Sequence, residues 1–204
     1  MRYFWQFLIF LSLYQCPILA ESTIHLGRET ITKSLGGNDV SYLIDDNGSL
    51  SIENITSDSL KTQFQNTTSD IPQFGYTPST VWLRFNVIDD SQSPRNFLLE
   101  VGTPGLDLVE VYEKNGSRWN QRIFGDLYPF SQRELNYKNF VFHINITASE
   151  SNTIYLKIRS NGSIIIPLNL HQTESFYSSK LLIEGWHFAF YGILVVMIFY
   201  NGFI

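Results

Sequence analysis

In the stretch Val81-Trp-Leu-Arg-Phe85 the apolar residues alternate. On a β-strand Val81, Leu83 and Phe85 share one face, and Trp82 and Arg84 take the other. Ile154-Tyr-Leu-Lys-Ile-Arg159 repeats the pattern: Ile154, Leu156 and Ile158 read as core, Tyr155, Lys157 and Arg159 as outward. An aromatic ring beside a hydrogen-bonding cation can stack on a sugar ring while the cation binds its hydroxyls or carboxylates. The residues expected to do this are Trp82, Arg84, Tyr155 and Arg159, with Arg133 at the rim of the same face. A structural alternative stands beside it: a loop covers Trp82, and Arg84 pairs with a carboxylate such as Glu110.

Catalysis is poorly provided for. His25, His143, His171 and His187 are scattered, and no pair has metal-ligand spacing. Glu29, Asp45, Asp46 and Glu53 fall in or near turns, where carboxylates are usually solvated. Gly36-Gly37 lacks the lysine that would complete a phosphate-binding loop. No enzymatic activity, metal or cofactor is expected. The net charge of −5 and the lack of a Lys/Arg cluster argue against a nucleic-acid partner.

The elements that must position these side chains read as β throughout the middle of the chain. Strands are expected at Val81–Ile88, Phe97–Val101 and Phe140–Ile146, where Phe140, Phe142, Ile144 and Ile146 form one apolar face. Three Asn-Gly pairs, at Asn47, Asn115 and Asn161, fall between strand-like runs and predict hairpins. A short helix fits between Ile55 and Phe64, and Asp70 to Ser79, with Pro72 and Pro78, reads as loop. Many short strands with frequent turns and no long helix between them predict a two-sheet antiparallel sandwich.

Both ends differ from this body. Residues 1–20 have a basic start at Arg2, an apolar run from Tyr3 to Leu13 and a small residue, Ala20, before Glu21. That is the layout of a secretory signal peptide, with an uncleaved anchor as the alternative. Cys16, the single cysteine, would leave with it, so the mature chain would hold no disulfide. Gly185 to Ile204 carries no Asp, Glu, Lys or Arg over about 20 residues, enough to cross a bilayer as a helix. The expected division is therefore 1–20 signal peptide, 21–172 β-sandwich, 173–184 linker and 185–204 transmembrane helix.

A series of short blocks supplies a family resemblance. It runs through Phe74-Gly-Tyr76, Val81-Trp-Leu-Arg-Phe85, Leu98-Leu-Glu-Val101 and Leu106-Asp-Leu-Val-Glu-Val-Tyr112. It continues with Gly125-Asp126, Pro129-Phe-Ser-Gln-Arg133, Phe140-Val-Phe142, Ile154-Tyr-Leu-Lys-Ile158, Ser160-Asn-Gly-Ser163 and Pro167-Leu168. In this order, from about Ile24 to the C-terminus, the blocks resemble the type 2 extracellular domain of bacterial seven-transmembrane receptors with diverse intracellular signalling modules. The resemblance implies a jelly-roll-like sandwich, similar to carbohydrate-binding modules, acting as a periplasmic sensor on the bacterial inner membrane. It also implies seven helices and an output module (kinase, cyclase or phosphatase), of which only the first helix is expected here, as in a truncated receptor. Arg84 fits the family's tryptophan-leucine-arginine motif and Arg133 its proline-phenylalanine-serine-x-arginine block. Arg133 fits a ligand contact and a clamp on backbone carbonyls equally well.

The function expected from all of this is extracytoplasmic sensing of a carbohydrate or related small molecule, relayed through the C-terminal helix. The alternative is an interaction module that uses the same face to bind a partner protein or a second copy of the chain.

Overall fold

The computed structural model describes residues 22–91 and 95–203; the expected signal peptide lies outside them. The alternating segments pair into two main sheets. In the larger, seven-stranded sheet the order is β4 (Gln65–Asn66), β3 (Ser41–Asp45), β6 (Thr80–Asp89), β11 (Asn152–Arg159), β8 (Leu108–Asn115) and β9 (Arg118–Phe124). The seventh strand, β1 (Thr23–Leu26), lies parallel to the second half of β6, beyond the stretch that β3 occupies. The smaller sheet runs β10 (Phe140–Ile144), β7 (Phe97–Val101), β13 (Leu168–Gln172) and β2 (Thr32–Leu35). A short pair, β12 (Ser163–Ile165) with β5 (Gln73–Tyr76), lies apart from both. Among the described residues, β1 pairs with β6 in parallel and the other named strands pair antiparallel. The expected all-β sandwich is the observed class.

Register explains the core. Val81 lies opposite Ile158, Leu83 opposite Leu156 and Phe85 opposite Ile154, while Leu156 faces Val111 on its other side. Because side chains alternate, all of these point to one face. They meet Leu99 and Val101 of β7, Phe140 and Phe142 of β10, and Leu168 and Leu170 of β13 in one buried cluster. Phe124 of β9 stacks on Phe142 at 4.4 Å between ring centroids, joining the two sheets.

The turns correct three sequence expectations. Only the second Asn-Gly pair makes a hairpin, and there Asn115 pairs with Arg118, so the two loop residues are Gly116 and Ser117. Gly116 has φ +61°, which suits the first position of such a loop. After Asn47-Gly48 the chain does not return as a strand: the Asp45 carboxylate accepts from the Ser49 and Leu50 N–H groups, and α1 (Ile52–Ile55) follows. After Asn161-Gly162 the chain leaves the large sheet, and β12 pairs with β5 instead. The segment 70–79, read as loop, holds β5. Gly125, just after β9, has φ +157°, and a Cβ there would lie 2.0 Å from the Asp107 carbonyl oxygen, so the corner admits only glycine.

The helical segment after Asp45 comes as two single turns, α1 and α2 (Asp58–Lys61), rather than one helix. Ser51 and Asn54 cap α1 reciprocally: Asn54 N–H donates to Ser51 Oγ, and Ser51 N–H donates to Asn54 Oδ1. A 30-residue helix, α3 (Thr173–Gly202), follows β13 directly. The stretch expected as a linker, 173–184, forms its first turns. Among the described residues it is the one helix long and apolar enough to cross a membrane.

Candidate functional site

The outer face of the larger sheet is not open where Trp82 sits. Ile52 and Ile55 of α1, with Phe64 beyond α2, close over Leu43, Trp82, Tyr112 and Tyr155 to make a second apolar cluster. Trp82 is fully buried and stacks on Tyr112 with centroids 5.6 Å apart. Its indole N–H finds no hydrogen-bond partner among the described residues. Lys157 lies beside the indole, Nζ 5.4 Å from the ring centroid, and its ammonium reaches the Leu50 carbonyl at 3.5 Å. The expected wet face is therefore roofed at its centre, because a single-turn helix with two isoleucines covers the ring.

Next to the roof, polar groups pair among themselves. Tyr112 Oη–H donates to Glu110, which also accepts from Gln121 Nε2 at 2.8 Å. Burial, then the adjacent Glu110 carboxylate, push the Tyr112 phenol well above its ordinary range, so it remains a donor.

The roof stops short of the turn end of β8 and β9, and a cleft of about 420 Å³ opens there. Register builds it: Tyr155 lies between Arg84 and Tyr112 on neighbouring strands, and Lys114 lies opposite Trp119 across the hairpin. Lys61 arrives from α2. Thr56, Ser117 and Thr153 supply hydroxyls. Tyr155 is wedged between Phe64 at 6.2 Å and Trp119 at 5.6 Å, both edge-on. The Arg84 guanidinium lies 4.5 Å over the Phe64 ring, with Nη1 3.5 Å from the Lys61 carbonyl. The result is an aromatic wall with three cations and several hydroxyls around a concavity. Among the described residues no group of His, Cys, Asp and Glu is placed to hold a metal.

Of the residues singled out in the sequence, Arg84 and Tyr155 line this cleft. Trp82 lies beneath the roof. Arg159 is exposed four residues along β11 from Tyr155, about 13 Å away at strand spacing. Arg133 does not line the cleft: it clamps the carbonyls of Tyr137 at 2.9 Å and Lys138 at 2.7 Å, between the rings of Phe130 and Phe140. That is the backbone-clamp alternative. Sequence reasoning missed Lys61, Lys114 and Trp119. The signal for two of them was the hairpin: once its loop is Gly116-Ser117, Lys114 and Trp119 become a cross-strand pair.

The opposite side of the sandwich carries the joint to α3. Phe176 is buried against Leu98 and Val141, with Tyr137 and Leu135 around it. Its ring lies 5.3 Å from that of His171, whose Nε2–H donates to Glu100 Oε2 at 2.9 Å. Asn139 Nδ2 donates to the other Glu100 oxygen. Burial pushes the Glu100 carboxyl up, but the bonds from His171 and Asn139, with Lys180 nearby, outweigh it and leave the pKa below the ordinary value.

No curated protein matches the chain. Among solved structures, a GH31 alpha-xylosidase from Xanthomonas citri matches at 8% identity and a TM-score of 0.27, over 70% of this chain and 18% of that one. The chain thus spans under a fifth of that enzyme, and a superposition this loose says nothing of fold or chemistry. The family model described as 7TMR-DISM extracellular 2 matches residues 37–172, which takes in both sheets from β3 to the end of β13, the cleft and the Phe176-bearing junction's last strand. The chain belongs to the 7TMR-DISM extracellular 2 family, whose members are extracellular sensor domains of seven-transmembrane receptors.

Proposed function

We propose that the sandwich is the periplasmic ligand-sensing domain of a receptor in the bacterial inner membrane, that it binds a carbohydrate or related small molecule, and that α3 carries the signal onward. The observation that supports this most is the cleft: an aromatic wall of Trp119 and Tyr155 beside Arg84, Lys61 and Lys114, of a volume usual for small-molecule sites. Sugar rings stack on such walls, and cations and hydroxyls bind their polar edges. Arg84 and Tyr155 keep the binding role expected of them; Trp82 supports the wall from below. A ligand that favours one pose of the sandwich on the Phe176 joint shifts the balance between poses of α3.

The test is binding of glycans to the full chain in nanodiscs, on an array and then by calorimetry. Trp119→Ala should weaken binding by about 2 kcal/mol, as loss of a central tryptophan contact does. Trp119 is half-buried and packs edge-on against Tyr155, so a circular dichroism melt accompanies the titration and affinity is compared at a temperature where both proteins are folded. Unchanged affinity in that variant would remove the cleft from the proposal.

A second reading, self-association, draws on Leu127, Tyr128 and Phe130, apolar side chains exposed together in the segment after β9. A Phe130→Asp variant should then shift the mass seen by light scattering from dimer to monomer. A monomeric parent chain would dispose of this reading.

A further inference from the structure

The cleft does not end at the β8–β9 hairpin. Lys114 and Thr153, which border it, also border a second concavity of about 500 Å³. That concavity lies between the hairpin and the segment 145–151, which joins β10 to β11. Register places the two in series: Thr153 and Tyr155 follow each other on the outer face of β11, and Asn152 begins the strand. From Tyr155 to Asn152 the groove runs on by about 10 Å at strand spacing. A single pyranose ring against the aromatic wall would leave that stretch to water.

The second concavity is built differently from the first. Among the described residues no aromatic side chain lines it. Its shape is held by the Asn152 amide, which accepts from the Thr147 N–H at 3.1 Å and donates to the carbonyls of Thr147 at 3.0 Å and Glu150 at 2.8 Å. The Ser149 N–H donates to the Asp89 carbonyl at 2.9 Å, and the Asn145 N–H to Glu113 at 2.8 Å, itself paired with Arg122. On this fixed backbone the side chains of Asn115, Asn145, Thr147 and Ser151 are exposed and hydrogen-bond to no other described residue. Amides and hydroxyls offer both donors and acceptors, as sugar hydroxyls require. The ionic groups here are of both signs, Lys114 with Glu113 and Glu150, so the lining does not select for ligand charge.

We propose that this concavity is a second subsite and that the ligand is an oligosaccharide rather than a single sugar. One ring rests on Trp119 and Tyr155, and the chain passes Lys114 and Thr153 to lay its hydroxyls on Asn145, Thr147 and Ser151. This deepens the cleft reading above and rests on it.

The experiment is calorimetric titration of the full chain in nanodiscs with xylo-, cello-, malto- and chito-oligosaccharides, each from one unit to six. In a series that binds, the trimer should bind at least about tenfold more tightly than the single sugar, the scale of one or two net hydrogen bonds. Asn145→Ala should weaken the trimer about fivefold and so narrow that gap. The backbone N–H held by Glu113 is kept in this variant, and circular dichroism melts establish that it is folded. Thr147→Val, which removes a hydroxyl with little change of shape, should act in the same way.

Equal affinity for single sugar and trimer, both lost in Trp119→Ala, would keep the cleft and overturn the second subsite. A trimer advantage untouched by Asn145→Ala and Thr147→Val would place the further rings elsewhere and overturn it too. So would losses of equal size for single sugar and trimer in both variants. Binding of none of the four series would overturn this inference, and the glycan array then decides the cleft reading separately.

Discussion

Asp89→Ala should destabilise the sandwich by about 3–5 kcal/mol, the loss usual when one partner of a buried ion pair is removed. Asp89 ends β6 and is fully buried. It accepts from Ser91 N–H at 3.0 Å, Ser91 Oγ–H at 2.9 Å and Arg95 Nε–H at 3.2 Å. Arg95 in turn donates to the carbonyls of Leu26 at 3.1 Å, Arg28 at 3.1 Å and Thr30 at 3.4 Å. One guanidinium therefore ties β1 and the turn after it to the end of the central strand. Without the carboxylate the guanidinium stays buried and uncompensated. Denaturant titration in micelles measures this, and a loss under about 1 kcal/mol would refute the account.

The same pair sets an acid limit. Burial pushes the Asp89 carboxyl up, but the bonds from Arg95 and Ser91 outweigh it, so its pKa lies below the ordinary 3.8. A depressed carboxyl contributes its full stability above the unfolded-state value and loses it as pH falls through the folded value. The parent chain should therefore weaken progressively below about pH 4, and Asp89→Asn should lack that component.

Trp82→Ala should cost about 3–5 kcal/mol, the range for truncating a buried aromatic. The fully buried indole packs in one cluster with Leu43, Tyr112 and the isoleucines of α1, so its removal leaves a cavity among them. Its removal should also loosen the roof, seen as faster amide exchange at Ile52 and Ile55. Trp82→Phe keeps a stacking partner for Tyr112 and should lose far less, with glycan affinity retained. Loss of binding in the alanine variant would thus report on folding, whereas loss in the phenylalanine variant would place the indole in ligand contact. An alanine variant as stable as the parent would contradict the packing described.

The inner face of the sandwich was legible because period-two alternation survives wherever one side is buried: Val81, Leu83, Phe85 and Ile154, Leu156, Ile158 were assigned to the core and lie there. The outer face was half legible. Alternation shows which side Trp82 and Arg84 share, but not what else lies on it, and α1 is four residues long, too short for helical periodicity to register. Arg84 and Tyr155 were expected on the outer face and line the cleft there, but Lys61 and Lys114 join them only through tertiary contact and hairpin register, which alternation does not reveal. The Asn-Gly pairs at Asn47 and Asn161 misled for a related reason: which element follows such a turn depends on edges that local sequence does not encode.

The run from β13 into α3 has no intervening loop, and Phe176 is seated in the sandwich within the first turns of that helix. From Phe176 to Gly202 the helix extends about 39 Å at 1.5 Å per residue. It is therefore a lever with its fulcrum at the domain: a tilt of about 5° at Phe176 sweeps the far end through about 3 Å, on that same rise. Displacements too small to disturb the packing of the sandwich become, at the distal end, comparable with the steps by which helices slide past one another.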